Sequence, residues 1–259
     1  MSNKDLKQGA DSSQLGAGSS QACTNSLQRC AIMQPTYLPW AGYFHLIASV
    51  DVFVFLDDVQ FDRRSWQSRN RIFDGGQVNY LTCPVKKASR DTLIRDIALS
   101  DDGTWQAQHI KKISLNYAKA PFFQDLKCLI ELLTESQYGS LSALNRSIIT
   151  LISEQLGLRT IFEVASTLNC GGKRSEHLLN ICRKVNASSY LSPQGSREYL
   201  AADNTFANSG VELAFQEYSP QPYVQVHSPS FESHLSIVDV LANIGINKTR
   251  TYILGDAQN

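Results

Sequence analysis

AIMQPTYLPWAGYFHLIASVDVFVFLDDVQFDRRSWQSRNR, residues Ala31 to Arg71, is the stretch from which the fold is read. Its apolar opening, Ala31-Ile32-Met33, suits a buried strand, because Pro35 cuts it off before a helix can form. A loop with two prolines and two aromatics follows, from Gln34 to Trp40. Tyr43, Phe44, Ile47 and Ala48 then put apolar groups on one face at helical spacing. After Asp51, the run Val52-Phe53-Val54-Phe55-Leu56 is rich in β-formers and nearly unbroken, the pattern of a strand covered on both faces. It ends in Asp57-Asp58. The order strand, loop, helix, strand gathers polar residues just beyond two strand ends. In open α/β sheets, ligands bind in the crevice outside those ends.

Downstream, Gly75-Gly76 marks a turn, Val78 to Val85 reads as a strand, and the alternation from Leu93 to Leu99 as an edge strand. The middle is helical: Thr104 to Ala118, then a helix opened by Ala120-Pro121 and ending near Glu135, then Gly139 to Leu156. Strand and helix signals alternate again from Thr160. They give a strand to Ala165, the polar turn Asn169 to Ser175, a helix over Glu176 to Val185 and a strand over Ser188 to Ser192. A strand over Val211 to Glu217 and a last helix from Ser236 to Ile244, stopped by Gly245, complete the chain. This order predicts an α/β, Rossmann-like, mostly parallel sheet with a helical insertion or subdomain at about 104–157. Residues 1–28 are Ser-, Gly- and Gln-rich without apolar periodicity and read as a disordered tail, which leaves 29–255 as one domain.

Composition excludes several classes. Lys plus Arg and Asp plus Glu are both 24 among 259 residues, so the net charge is zero and gives no footprint for nucleic acid or a polybasic membrane surface. No apolar run reaches membrane-spanning length. Six cysteines at irregular intervals, with no C-x-x-C pair, read as reduced thiols of a cytoplasmic protein. The five histidines, His45, His109, His177, His227 and His234, have no metal spacing, so no metal site is expected and no cofactor is assigned. His227 and His234 flank a polar loop and are the two to watch.

The chemistry-bearing groups cluster after predicted strands. Asp57 and Asp58 can serve as general base or ligand, or simply satisfy a turn; adjacent strand residues face opposite ways, so one of the two is expected to face a ligand. Gln60, Arg63, Arg64, Arg69 and Arg71 lie among Trp66, Gln67, Ser68 and Asn70. Guanidinium groups bind phosphate bidentately and an aromatic ring can stack a base or sugar face, which would suit a nucleotide sugar; a solvated helix face is the other reading. Gly171-Gly172-Lys173-Arg174-Ser175 sits between strand and helix, where free amides and two cations can hold an anion, though it is no Walker loop. Ser192-Pro193-Gln194-Gly195 follows another strand. Tyr37, Pro39 and Trp40 either wall a pocket or pack beneath the first loop, and Gln34 is expected to face the same crevice as Asp58 and Lys173.

Gln34-Pro35-Thr36-Tyr37-Leu38-Pro39-Trp40, Gly42-Tyr43-Phe44, Phe55 to Phe61 and Arg64-Ser65-Trp66-Gln67 with Arg69-Asn70-Arg71 resemble the WbqC-like protein family. So do Asn116-Tyr117, Gly172 to Glu176, Tyr190-Leu191-Ser192 with Gly195, and Leu235 to Asp239. The resemblance implies a cytoplasmic protein of bacterial surface-polysaccharide (O-antigen or lipopolysaccharide) biosynthesis, a transferase that attaches an amino acid or acyl group to a nucleotide-linked amino sugar. A non-catalytic nucleotide-sugar-binding or scaffolding module of that pathway is the alternative. On this reading Asp57 and Asp58 are catalytic. Gln34, Tyr37, Trp40, Gln60, Arg64, Trp66, Arg69, Asn70, Arg71, Asn116, Tyr117, Lys173, Arg174, Ser175, Ser192 and Gly195 bind a phosphate-bearing small-molecule substrate. Two positions depart from the family pattern: Met33 stands where a His usually precedes Gln-Pro, and Gln221 where a His usually follows the Glu-Tyr pair.

Overall fold

The computed structural model describes residues 28–100, 103–135, 137–226 and 228–255; the expected tail, apart from Gln28, and His227 lie outside them. In chain order the elements are β1 (Gln28–Met33), α1 (Ala41–Ala48), β2 (Val52–Phe55), β3 (Arg69–Asp74), β4 (Gln77–Thr82), α2 (Trp105–Tyr117), α3 (Lys127–Glu135) and α4 (Leu141–Gln155). They continue with β5 (Ile161–Val164), α5 (Ala165–Leu168), α6 (Ser175–Lys184), β6 (Ala187–Ser192), α7 (Arg197–Ala202), β7 (Glu212–Phe215) and α8 (Ile237–Leu254).

Five strands form one parallel sheet in the order β5-β2-β1-β6-β7, with β3 and β4 as a separate antiparallel hairpin. The chain builds outward from β1 through β2 to β5, returns, and builds outward on the other side through β6 and β7. The order therefore reverses between β1 and β6, and neighbouring loops diverge there to leave a crevice.

Period-two alternation splits the core into two layers. Cys30, Ile32, Val52 and Val54 pack on one face with Leu178, Ile181 and Cys182 of α6 and Leu200 of α7. Ala31, Phe53 and Phe55 face the other way, onto Phe44 and Ile47 of α1, Ile148 and Ile152 of α4 and Val238 of α8. All four β2 residues are buried, as a strand covered on both faces requires.

Three local expectations change. Leu93 to Leu99 is no edge strand: Ile94–Asp96 forms a single 3-10 turn flanked by isolated bridges, and that turn buries Ile94, Ile97 and Leu99 in the core. The arginine-bearing segment Arg69–Asp74 is a hairpin strand and not a helix face. The last helix resumes after a break at Gly245 and runs to Leu254. Gly245 has φ 78°, and a Cβ there would lie 2.6 Å from the Phe122 ring, so both backbone conformation and space call for glycine.

Candidate functional site

At the point where the strand order reverses lies a cavity of about 720 Å³, within the range of small-molecule sites. Met33 and Gln34 reach it from the end of β1, Tyr190 and Pro193 from β6 and just beyond, and Ser196 and Tyr199 from the start of α7. Trp66, Gln67, Asn70, Arg71 and Tyr80 line the hairpin side, and Trp40 and His234 complete the wall.

A set of hydrogen bonds fixes this lining. Gln67 Nε2 donates to Gln34 Oε1 at 2.8 Å, the Tyr37 amide donates to the Trp66 carbonyl at 3.0 Å, and Asn70 Nδ2 donates to the Tyr37 carbonyl at 3.2 Å. Tyr43 donates its hydroxyl to the Gln34 carbonyl at 3.0 Å. Behind them Asn145 of α4, fully buried, donates to the carbonyls of both Pro35 (3.0 Å) and Gln67 (2.7 Å). One amide thus ties the loop after β1 to the loop before β3. Buried polar groups of this kind set geometry because each must find its partner.

Trp40 precedes the first turn of α1, and its indole folds back over Gly42, where a Cβ would lie 2.2 Å from the ring. On its other side stands His234, with ring centroids 4.5 Å apart. The segment before α8 reaches the cavity because the Ser236 amide donates to the Arg71 carbonyl and the Ile237 amide to the Pro39 carbonyl, both at 2.8 Å. His234 has φ 59°, a strained backbone for a residue with a side chain, held here by those bonds. Burial, then the neighbouring Arg71 charge, lowers the His234 pKa, so its imidazole is neutral at neutral pH.

Two wall residues each carry a buried polar atom with no hydrogen-bond partner among the described residues: Thr36 Oγ1 and Arg71 Nε. Arg71 Nη2 donates to the carbonyls of Ser233 (2.9 Å) and His234 (3.1 Å), which fixes the guanidinium while leaving Nε unpaired. An unpaired buried donor or acceptor costs about 1–3 kcal/mol, so each marks hydrogen-bonding capacity beside the cavity that a small shift of its side chain would turn toward a ligand.

The residues singled out in the sequence divide sharply by place. Gln34, Trp40, Trp66, Asn70 and Arg71 line the cavity. Arg69 stacks behind it, its guanidinium 4.2 Å from the Tyr80 ring. Tyr37 is fully buried in the core beneath the loop, and its hydroxyl lies 2.8 Å from His109 Nδ1. Asp57 is buried, and its carboxylate accepts from the Ser166 amide and hydroxyl, both at 3.0 Å, at the start of α5. Asp58 pairs with His177 Nε2 at 3.2 Å. Neither carboxylate is in the cavity wall. Gln60 and Arg63 line a separate open hollow, each bonded to a loop carbonyl, of Arg90 and Ala88 respectively. Arg64, Lys173 and Arg174 are exposed outside the wall, and Ser175 is buried in the first turn of α6. Ser192 is buried at the end of β6, and Gly195 lies between the wall residues Pro193 and Ser196 without lining the cavity itself.

Asn116 and Tyr117 act at a distance from the cavity. Asn116 accepts from the Gly75 amide and donates to Asp74, pinning the hairpin turn. The Tyr117 hydroxyl accepts from the Phe73 amide and donates to Asp239. Asp239, fully buried, also accepts from Tyr223 (2.6 Å) and Gln225 (2.8 Å), and burial raises its pKa. Two of the sequence blocks quoted above therefore meet in one buried network.

Residues 34–251 match the model of the WbqC-like protein family. The chain belongs to that family. The protein Rv1507c of Mycobacterium tuberculosis, itself described as uncharacterized, is 32% identical over 223 residues, which cover 85% of this chain and 95% of the relative. No solved structure matches. Within this WbqC-like chain the two departures from the family pattern fall in different places. Met33 lines the cavity, whereas Gln221 is exposed in the loop before α8.

Sequence reading missed Thr36, Gln67, Tyr80, Asn145, Tyr199 and the pairing of His177. Asn145 carried a readable signal, an amide on the apolar stripe of α4 between Leu144 and Ile148. Tyr80 and Tyr199 carried none, since an aromatic in a strand or short helix is ordinarily core. Among the described residues no group of three or more His, Cys, Asp or Glu could hold a metal ion, and no helix is long and apolar enough to cross a membrane.

Proposed function

We propose that this chain is a transferase that holds a nucleotide-linked amino sugar in the crevice between β1 and β6 and joins an amino acid or acyl group to the sugar amine, as a step in bacterial surface-polysaccharide assembly. The observation that carries the reading is the pair of unpartnered buried atoms, Thr36 Oγ1 and Arg71 Nε, beside an aromatic- and amide-lined cavity at the switch point. In this proposal Arg71 meets phosphate, and Thr36, Gln34 and Asn70 meet sugar hydroxyls. The neutral His234 imidazole takes the proton released as the amine nitrogen attacks the acyl carbon. The nitrogen–carbon bond forms, and the bond from the acyl carbon to the leaving group of an activated acyl donor breaks.

The test is to incubate purified protein with nucleotide-linked amino sugars and activated acyl donors and to follow acylated product by mass spectrometry. Product that depends on His234, lost in His234→Ala while substrate binding remains, is the expected outcome. No binding and no turnover across the panel would sink the reading. One observation favours the binding-module alternative: the cavity wall contains no Asp or Glu, since Asp57 and Asp58 are both engaged elsewhere. Tight binding with no turnover in any pairing would decide for it.

A further inference from the structure

Seven large hydrophobic residues among those described are exposed, four of them aromatic: Trp66 (49%), Tyr80 (46%), Phe122 (39%) and Tyr199 (47%). Three of the four line the same cavity. Leaving that much aromatic surface in water is unfavourable, and its concentration around one opening marks a binding surface. The three come from opposite layers. Tyr80 is on β4 of the hairpin and Trp66 in the loop just before β3; the hairpin's Ile72, Phe73 and Leu81 pack in the layer with α1 and α8, while Tyr199 is on α7, whose Leu200 packs in the layer with α6.

Trp66 and Tyr80 are neighbours, with ring centroids 6.1 Å apart and planes tilted by 42°. The Arg69 guanidinium covers one face of Tyr80. The polar amides of the wall are already engaged: Gln34 and Gln67 are bonded to each other, and Asn70 is tied to the loop after β1. The wall that holds these rings contains no carboxylate, and Arg71 stands directly opposite Tyr80 across the hairpin. Such a surface suits a flat ring with two π-faces better than a polyol, which needs several directed acceptors.

We infer that Trp66 and Tyr80, with Tyr199 in the same cavity wall, form a stacking subsite for a planar heteroaromatic ring, the base of a nucleotide whose phosphates reach Arg71. The inference deepens the proposed function and rests on it: it assigns the base to the rim and the sugar to the amide-lined interior. Base stacking on aromatic side chains tolerates any base, so the rim sets the class of ligand and not its identity.

The probes are the four common ribonucleoside diphosphates, which carry a base and no sugar donor, and glucosamine 1-phosphate, which carries an amino sugar and no base. Binding is followed calorimetrically and by tryptophan fluorescence, on wild type and on Trp66→Ala, Tyr80→Ala and Tyr199→Ala. All three side chains are about half exposed, so the variants are expected to keep the wild-type melting temperature. The expected result is that a nucleoside diphosphate binds and that Trp66→Ala and Tyr80→Ala each weaken it tenfold or more. Trp66→Phe should restore most of the affinity, and glucosamine 1-phosphate should be indifferent to all three. Nucleoside diphosphate binding unchanged in the variants overturns the subsite. Binding of the sugar phosphate alone also overturns it but leaves the proposed function standing, whereas binding of neither probe removes both.

Discussion

Two regions at the carboxyl ends of the strands invite comparison. One, beyond β2, holds the most conspicuous charges of the chain, Asp57, Asp58, Arg63 and Arg64. The other, between β1 and β6, holds aromatics, amides and the guanidinium of Arg71. In the first region Asp57 accepts two bonds from Ser166, Asp58 pairs with His177, Arg63 binds the Ala88 carbonyl and Arg64 points to solvent. In the second, a hydroxyl and a guanidinium nitrogen are buried with no protein partner. Charge density in a sequence reports where chemistry is affordable; unmet hydrogen-bonding capacity beside a cavity reports where a ligand belongs.

The comparison breaks if charges engaged inside the protein affect ligand binding more than stability. The largest effect is expected at Asp239. Asp239→Asn replaces one accepting oxygen with an NH2 donor that faces the donors of Tyr117, Tyr223 and Gln225, and the buried network should lose about 3 kcal/mol in urea unfolding. Asn145→Ala leaves the Pro35 and Gln67 carbonyls unsatisfied and should cost about 2 kcal/mol in the same measurement. It should also weaken ligand binding, because both carbonyls belong to loops of the cavity. Stability losses below about 0.5 kcal/mol in either variant would contradict the bonding described here.

A smaller effect, readable through pH, concerns Asp58 and His177. His177 Nε2 faces the Asp58 carboxylate and Nδ1 faces the Gly171 carbonyl, each at 3.2 Å, and the bond to Asp58 is the main cause of its raised pKa. A raised folded-state value means that the charged form stabilises the fold. The stabilisation is full below the unfolded histidine value of about 6.5 and fades as pH rises through the folded value. His109 behaves oppositely: burial lowers it to about 4, so its contribution is full above about 6.5 and lost as pH falls toward 4. Asp58→Asn should therefore lower the melting temperature at pH 6 more than at pH 9, while the loss toward pH 4 that His109 produces persists in the variant. An equal loss at both pH values would show that the pair carries no charge-dependent stability.

The sequence announced the fold through a few residues. The unbroken Val52-Phe53-Val54-Phe55 run could be satisfied only by a strand covered on both sides, and the strand–helix alternation after Thr160 left little choice but a parallel sheet. The site was half legible. Gln34, Trp40, Trp66, Asn70 and Arg71 could be named because they belong to the blocks that carry the family resemblance, although Asn70 and Arg71 lie within β3. Thr36 and Tyr199 could not, because their significance is an unpaired atom and an exposed face, which depend on what the fold places opposite them. Asp57 and Asp58 show the converse: a carboxylate pair reads identically whether it awaits a substrate or is engaged, as here, at the start of α5 and with a histidine of α6.

The smallest expected effect belongs to Arg64, and it frames the decisive measurement. Arg64 and Arg71 stand seven positions apart in one basic run, yet Arg64 is exposed outside the wall while Arg71 lines the cavity with its Nε unpaired. The affinity of one nucleotide-linked amino sugar should be measured by calorimetry for wild type, Arg71→Lys and Arg64→Lys under identical salt. Arg71→Lys keeps the charge but loses the planar set of donors, so affinity should fall tenfold or more, while Arg64→Lys should stay within about twofold of wild type. The reverse order, with Arg64→Lys impaired and Arg71→Lys intact, would contradict the placement of the site between β1 and β6.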